Sequence, residues 1–254
     1  MQVCKTVCAC HRVCTEIRHR EMEWSDTAAR KERCMFIGHY AVGFGLKKVE
    51  PKLSLGTLVL GATLLDILFG IFMLTGVEHA RIVPGASAAA PFEFYDYPIS
   101  HSALGAVSWS FTGFLVYWLW PGRDRAQRKR PAAVFALAIF SHYVLDVISH
   151  TPDMPLLGSA SPKLGLSLWD SLPATIAVEI ALFIVGIVLY LRARRELRPA
   201  AKYGLAALIL ILTASFLGGS FGPPPPNMTV IGIMLTAGQA AYIAFAYWID
   251  KNTR

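Results

Sequence analysis

Six stretches of this chain, 53–74, 101–120, 131–149, 172–191, 203–217 and 228–248, are too long and too apolar for the surface helices or strands of a water-soluble domain. A helix rising 1.5 Å per residue needs about 20 apolar residues to cross the hydrocarbon core of a bilayer. These blocks meet or approach that length. A seventh, shorter block, 36–46, reaches only about 16 Å as a helix and is read as an incomplete or re-entrant membrane segment. The expected fold is therefore all-α, a polytopic transmembrane helix bundle of about six long spans plus one short N-terminal membrane segment. Of the 254 residues, 54% are hydrophobic and only 16% charged. The net charge of +7 sits in short basic clusters between apolar blocks, at 47–52, 123–130, 192–202 and 251–254. Such clusters mark cytoplasmic loops, so the charge does not imply nucleic-acid binding. The clusters fall on alternate loops and place the C-terminus in the cytoplasm.

Against that background the ionisable residues inside the apolar blocks stand out. In FSHYVLDVISHTPDMP, residues 140–155, His142, Asp146 and His150 are spaced four apart. Residues at i and i+4 share a helix face. Thr151, Pro152, Asp153 and Pro155 then stop the helix. Counted from the external helix ends, Asp66 lies about 12 Å deep, His142 and Glu179 about 10 Å and Asp146 about 5 Å. His101 and Asp96 fall at the external mouth, and His39 at a similar shallow depth if its segment crosses. These groups thus share one layer in the outer half of the membrane, and the inner half of the spans carries none. Ionisable groups in spanning helices are costly and mark functional sites. Several carboxylates together need counter-charge, which a metal ion supplies. Imidazole with carboxylate suits zinc, manganese or iron, and carboxylate-rich sets suit magnesium. Glu179 reads as an outer support, a general base or a histidine's partner. His150, Asp153 and His79 read as solvated loop residues.

Residues 1–34 differ from the rest. They hold all five cysteines, Cys4, Cys8, Cys10, Cys14 and Cys34, and many charges. The cysteine spacing matches no established zinc finger. This segment is read as a disordered tail or an over-extended start, and 35–254 as a single transmembrane helical domain. Pro223–Pro226 read as a stiff polyproline spacer.

The elements FIGHYAVG, LLDIL, YPISHS and SHYVLDVISHTPDMPL, in this order, resemble the bacterial inner-membrane metal-dependent hydrolases described as the LexA-binding, membrane-associated hydrolase family. The likeness covers roughly residues 35–160. Its pattern is a Gly-His near the start, an Asp in the second helix, a Thr-His-Ser opening the third and Ser-His-x-x-x-Asp in the fourth. By position, the resemblance points to His39, Asp66, His101, Ser102, His142 and Asp146. Two elements depart from it. Only Asp66 remains of a Pro-Asp-x-Asp, and Asp96 stands where a His-Arg-Gly-Phe-Thr-His-Ser begins, with no arginine after it.

Residues and resemblance together lead to the following expectations. The chain is a metal-dependent hydrolase of the bacterial inner membrane, acting on a lipid-linked or small ester or phosphoester. His39, Asp66, His101, His142 and Asp146 hold a divalent metal ion, and Asp96 or Glu179 takes the proton. A permease using the same layer as an ion relay is the first alternative. A structural membrane protein whose polar layer only locks the bundle is the second. A relay calls for polar groups at several depths, which the inner half lacks.

Overall fold

The computed structural model describes residues 37–121, 124–194 and 196–253. The cysteine-rich segment 1–34 and its metal pattern lie outside the described residues. The chain is an all-helical bundle with two short β-hairpins. Helix α1, Ile37–Val49, is followed by α2, Leu55–Leu74. Strands β1, His79–Ile82, and β2, Phe92–Asp96, pair antiparallel with Ile82 opposite Phe92. A single turn, α3, Pro98–His101, leads into α4, Ala103–Leu119. Helix α5, Arg125–Ser149, precedes a small hairpin of β3, Met154–Pro155, and β4, Lys163–Leu164. Then come α6, Leu172–Ala193, α7, Pro199–Phe221, and α8, Met228–Ile233. A π-helical segment, Met234–Gly238, joins α8 to α9, Gln239–Lys251.

Five helical stretches are long and apolar enough to cross a membrane: α2, α5, α6, α7 and the continuous Met228–Lys251. This is the architecture of a multi-pass membrane protein. The expected sixth long span is shorter than its apolar block. Ser102 adopts an extended conformation (φ −81°, ψ 159°) and its hydroxyl accepts the Gly105 amide, so the chain restarts as a 17-residue helix. Helix α5 starts earlier than expected. Asp124 caps it through the Ala126 amide, and the Ala, Gln, Arg and Lys that follow are good helix formers. Pro131 is therefore carried inside the helix, where it deprives the Gln127 carbonyl of a partner. The 75–100 segment contains the β1–β2 hairpin.

Helix α2 is the axis of the molecule. It contributes Leu55 and Val59 to a core shared with α1, α6, α7 and α9, and Leu58, Leu65 and Phe69 to a second core shared with α5. Two close approaches seat its neighbours. A Cβ on Gly61 would sit 2.8 Å from that of Ala138 on α5. One on Gly186 of α6 would sit 2.4 Å from the Ala41 carbonyl oxygen on α1. Small residues let membrane helices pack backbone to backbone: Gly61 seats the His142-bearing α5 on α2, and Gly186 seats α6 on the His39-bearing α1.

The four basic clusters meet at one end. Lys47 and Arg194 both face Asp250, at 2.8 and 3.7 Å, and Arg130 reaches Glu50 at 3.3 Å and donates to the Val49 carbonyl at 2.8 Å. The hairpins and α3 lie at the other ends of the same helices. His39 and Lys47 are eight residues apart on α1, about 12 Å along its axis.

Candidate metal centre

Four elements each bring at least one ligand-type side chain to the same place. On α5, His142 and Asp146 are one turn apart and 3.1 Å from each other, Nε2 to Oδ2. Helix α1 places His39 Nε2 3.1 Å from the other oxygen of Asp146. Turn α3 ends on His101, whose Nε2 is 3.5 Å from Asp146 Oδ2 and 3.9 Å from Asp66 Oδ1. Asp66, on α2, is 3.7 Å from His142 Nε2. The His39 and His142 rings lie 3.9 Å apart, and the His101 and His142 rings 5.3 Å. All five positions expected as ligands are thus brought together. Four are buried, and Asp66 alone keeps 25% of its side chain exposed.

The hydrogen bonds around the cluster bear on what it can hold. His142 Nδ1 lies 2.8 Å from the Ala62 carbonyl, so the nitrogen that carries the proton is Nδ1. In the neutral ring Nε2 is then the acceptor nitrogen, and it faces the carboxylates of Asp146 and Asp66. Although Nε2 of His39 and of His142 each sit 3.1 Å from Asp146, neither forms a hydrogen bond, and Asp146 Oδ2 has no hydrogen-bond partner. Buried polar atoms are nearly always paired. Here they converge on one another as acceptors, and a cation satisfies such a set. The triads His39, His142, Asp146 and Asp66, His101, His142 each bring their ligand atoms within 4.8 Å of one another, so the buried group can hold a metal ion.

Of the two residues expected to take a proton, Asp96 is engaged on the hairpin and Glu179 holds an amide beside His39. Asp96 is on β2, where one carboxylate oxygen accepts from Ser159 Oγ (2.5 Å) and the other lies 3.2 Å from His79 Nδ1. The Ser159 and His79 contacts hold its carboxyl below the ordinary value. Glu179 is fully buried on α6 and accepts the Gly38 amide at 2.7 Å. That amide belongs to the first turn of α1, where helix N–H groups lack intrahelical partners. Glu179 thereby fixes the start of the helix that presents His39.

His150 and Asp153 are not the solvated pair expected. His150 is buried, its Nδ1 lies 3.0 Å from Asp153 Oδ1, and its ring is 4.0 Å from Trp169. Tyr97 donates to the same Asp153 oxygen and stacks between His150 and His101. His79 is exposed, as expected.

Glu78 was not singled out from the sequence. It follows α2, in a Schellman turn that Gly76 completes at φ +74°: the Val77 amide reaches the Phe72 carbonyl at 2.7 Å and the Gly76 amide the Met73 carbonyl at 3.3 Å. The turn sends Glu78 back beneath α3. There Oε1 accepts the Ile99 and Ser100 amides (2.6 and 2.8 Å) and Oε2 accepts Ser100 Oγ (2.5 Å). Burial pushes its carboxyl above the ordinary range, and these donors pull it back. The signal for this contact was the Thr75-Gly76 helix stop, which a count of in-membrane charges passes over.

Comparison of the chain with family models, with curated proteins and with solved structures returns no match. The fold and the cluster therefore define the class on their own: an all-helical membrane bundle with a three-histidine, two-aspartate group buried at all but Asp66.

Proposed function

We propose that this chain is a membrane-embedded, metal-dependent hydrolase. The observation that carries the reading is the convergence of three imidazoles and two carboxylates, among which His39 Nε2, His142 Nε2 and Asp146 Oδ2 are buried without a hydrogen-bond partner. The resemblance of the same residues to the inner-membrane hydrolases agrees with it. Three nitrogens with two oxygens suit zinc, manganese or iron better than magnesium. A divalent ion there supplies an acidified water and polarises an ester or phosphoester bond.

The protein's own part is positioning. Ala62 holds the His142 ring, Glu179 holds the start of α1, and Asp146 presents one oxygen to His39 and the other to His142 and His101. Asp66 makes the longest contacts, 3.7 and 3.9 Å, and is the one partly exposed member. We assign it the face where substrate enters and the role of accepting the proton from the attacking water. The basic end of the bundle is the cytoplasmic one by the positive-inside bias. The centre then opens toward the outer leaflet of a bacterial inner membrane, with the C-terminus inside. Lipid-linked or small esters and phosphoesters are the substrates this placement suits.

Metal analysis of detergent-purified protein tests the proposal. Wild type is expected to carry tightly held zinc, manganese or iron, and His142→Ala to lose it while remaining folded. A wild-type protein without bound metal, and unable to take it up, overturns the reading.

A further inference from the structure

Among the five ligand-type residues, His101 depends on an element with almost no helix of its own. Turn α3 is four residues long, and its first amides have no intrahelical acceptors. Glu78 supplies them from outside. Its Oε1 takes the Ile99 and Ser100 amides, leaving Oε2 for the Ser100 hydroxyl. Ser100 Oγ is also 2.7 Å from His101 Nδ1. The hydroxyl proton points at Glu78, so the hydroxyl oxygen is the acceptor and His101 Nδ1–H the donor. Glu78, Ser100 and His101 form a buried chain that ends on Nε2, the nitrogen facing Asp66 and Asp146.

We propose that Glu78 is a positioning residue of the metal centre. Acting through the Ser100 hydroxyl, it fixes His101 in the Nδ1–H form and strengthens Nε2 as a donor to the ion. Histidine ligands commonly hand their second ring N–H to a carboxylate, a carbonyl or water, and that partner orients the ring and raises its basicity. His142 uses the Ala62 carbonyl. His101 uses a carboxylate one hydroxyl away. This inference rests on the metal-centre reading and extends it to two residues outside the ligand set.

A purely structural Glu78 would serve only as the cap of α3, and two variants separate the roles. Ser100→Ala keeps both amide bonds to Oε1 and removes the hydroxyl, and with it the Oε2 bond and the link to His101. Glu78→Gln presents an amide N–H₂ to Ser100 Oγ, which reverses the chain. The hydroxyl then donates to Nδ1 and drives the proton to Nε2, where it blocks metal binding.

The experiment is a Co2+ titration of the full-length protein in detergent, following the visible d–d absorption. Ser100→Ala is expected to bind about 10- to 100-fold more weakly than wild type, with a shifted band, and Glu78→Gln at least as weakly. In a His101→Ala background, neither substitution should weaken binding further. Thermal unfolding of the metal-free proteins reports the capping role separately. Ser100→Ala that binds Co2+ like wild type overturns the assignment, and so does a Glu78→Gln effect that persists in full without His101. A wild-type chain that takes up no Co2+ overturns the metal centre itself, an outcome distinct from either.

Discussion

The molecule buries ionisable groups at two ends, and it treats them differently. At the basic end, fully buried Lys47 lies 2.8 Å from Asp250 and also donates to the Leu53 carbonyl, while Arg194 approaches the same carboxylate. Cation meets anion within the protein, and the result ties the end of α1 to the end of α9. At the other end, two carboxylates meet three imidazoles, and the one imidazole proton seen to be engaged within the spanning helices goes to a backbone carbonyl, away from the acids. The first arrangement pairs formal charges of opposite sign, although Asp250 Oδ1 and Arg194 Nε make no hydrogen bond. The second turns imidazole nitrogens and carboxylate oxygens toward one another, an arrangement that can hold a cation. Burial alone therefore does not single out a candidate site in a membrane bundle; the sign of the groups that meet there separates the two ends.

The largest expected effect breaks the second arrangement. Asp146→Asn removes the carboxylate that faces three histidines, so metal affinity should fall by more than the roughly 100-fold that loss of an outer partner costs. Metal-free Asp146→Asn should unfold no more readily than metal-free wild type, because no cation of the protein loses its partner. The basic end predicts the opposite pairing of effects. Asp250→Asn leaves Lys47 buried without its counter-charge, at a cost of about 3–5 kcal/mol, with metal affinity unchanged. Lys47→Met combined with Asp250→Leu should recover most of that loss. Unfolding in denaturing detergent mixtures measures both. Equal destabilisation by Asp146→Asn would mean that the His/Asp group is also an ion-pair lock.

Much of this organisation was legible in the sequence, for physical reasons that also explain the gaps. Long apolar blocks can be satisfied only as helices, so α2, α5, α6 and α7 announce themselves. His39, Asp66, His101, His142 and Asp146 were visible because charge inside such blocks is rare, and counting along helices gave them a common depth. What lay outside the blocks was harder to read. The amides of α3 find their acceptor 21 and 22 residues away, at Glu78, and no periodicity links those positions. His150 looked solvated because it stands at the helix end, just before the stop, yet Trp169, from a separate loop, covers it. Asp96 looked poised over the centre because it stands where the family pattern has a histidine. The hairpin register instead places it opposite His79.

Packing variants sharpen the comparison at smaller amplitude. Gly186 meets the α1 backbone, and α1 carries both His39 and Lys47. Gly186→Ala should therefore loosen both ends, costing about 1–3 kcal/mol and weakening metal binding. Gly61 meets α5 beside Ala62, the residue that holds His142. Gly61→Ala should weaken metal binding while leaving the Lys47–Asp250 end intact. Equal effects of the two variants at both ends would show that the bundle transmits strain as a whole.

The smallest effect concerns Asp96. Its carboxyl is held below the ordinary value by Ser159 and His79, so the stability it contributes is present above the unfolded aspartate pKa of about 4. That contribution is lost as pH falls through the lower folded value. The pair is exposed to solvent and screened, so Asp96→Asn should lower neutral-pH stability only slightly and flatten the acid limb of the stability curve. Metal affinity should not change. A variant that binds metal normally, unfolds normally at neutral pH and yet has lost hydrolysis would restore Asp96 as the proton acceptor. It would also mean that the β1–β2 hairpin closes over the centre during turnover, and the functional end of the molecule would then extend beyond the five converging side chains.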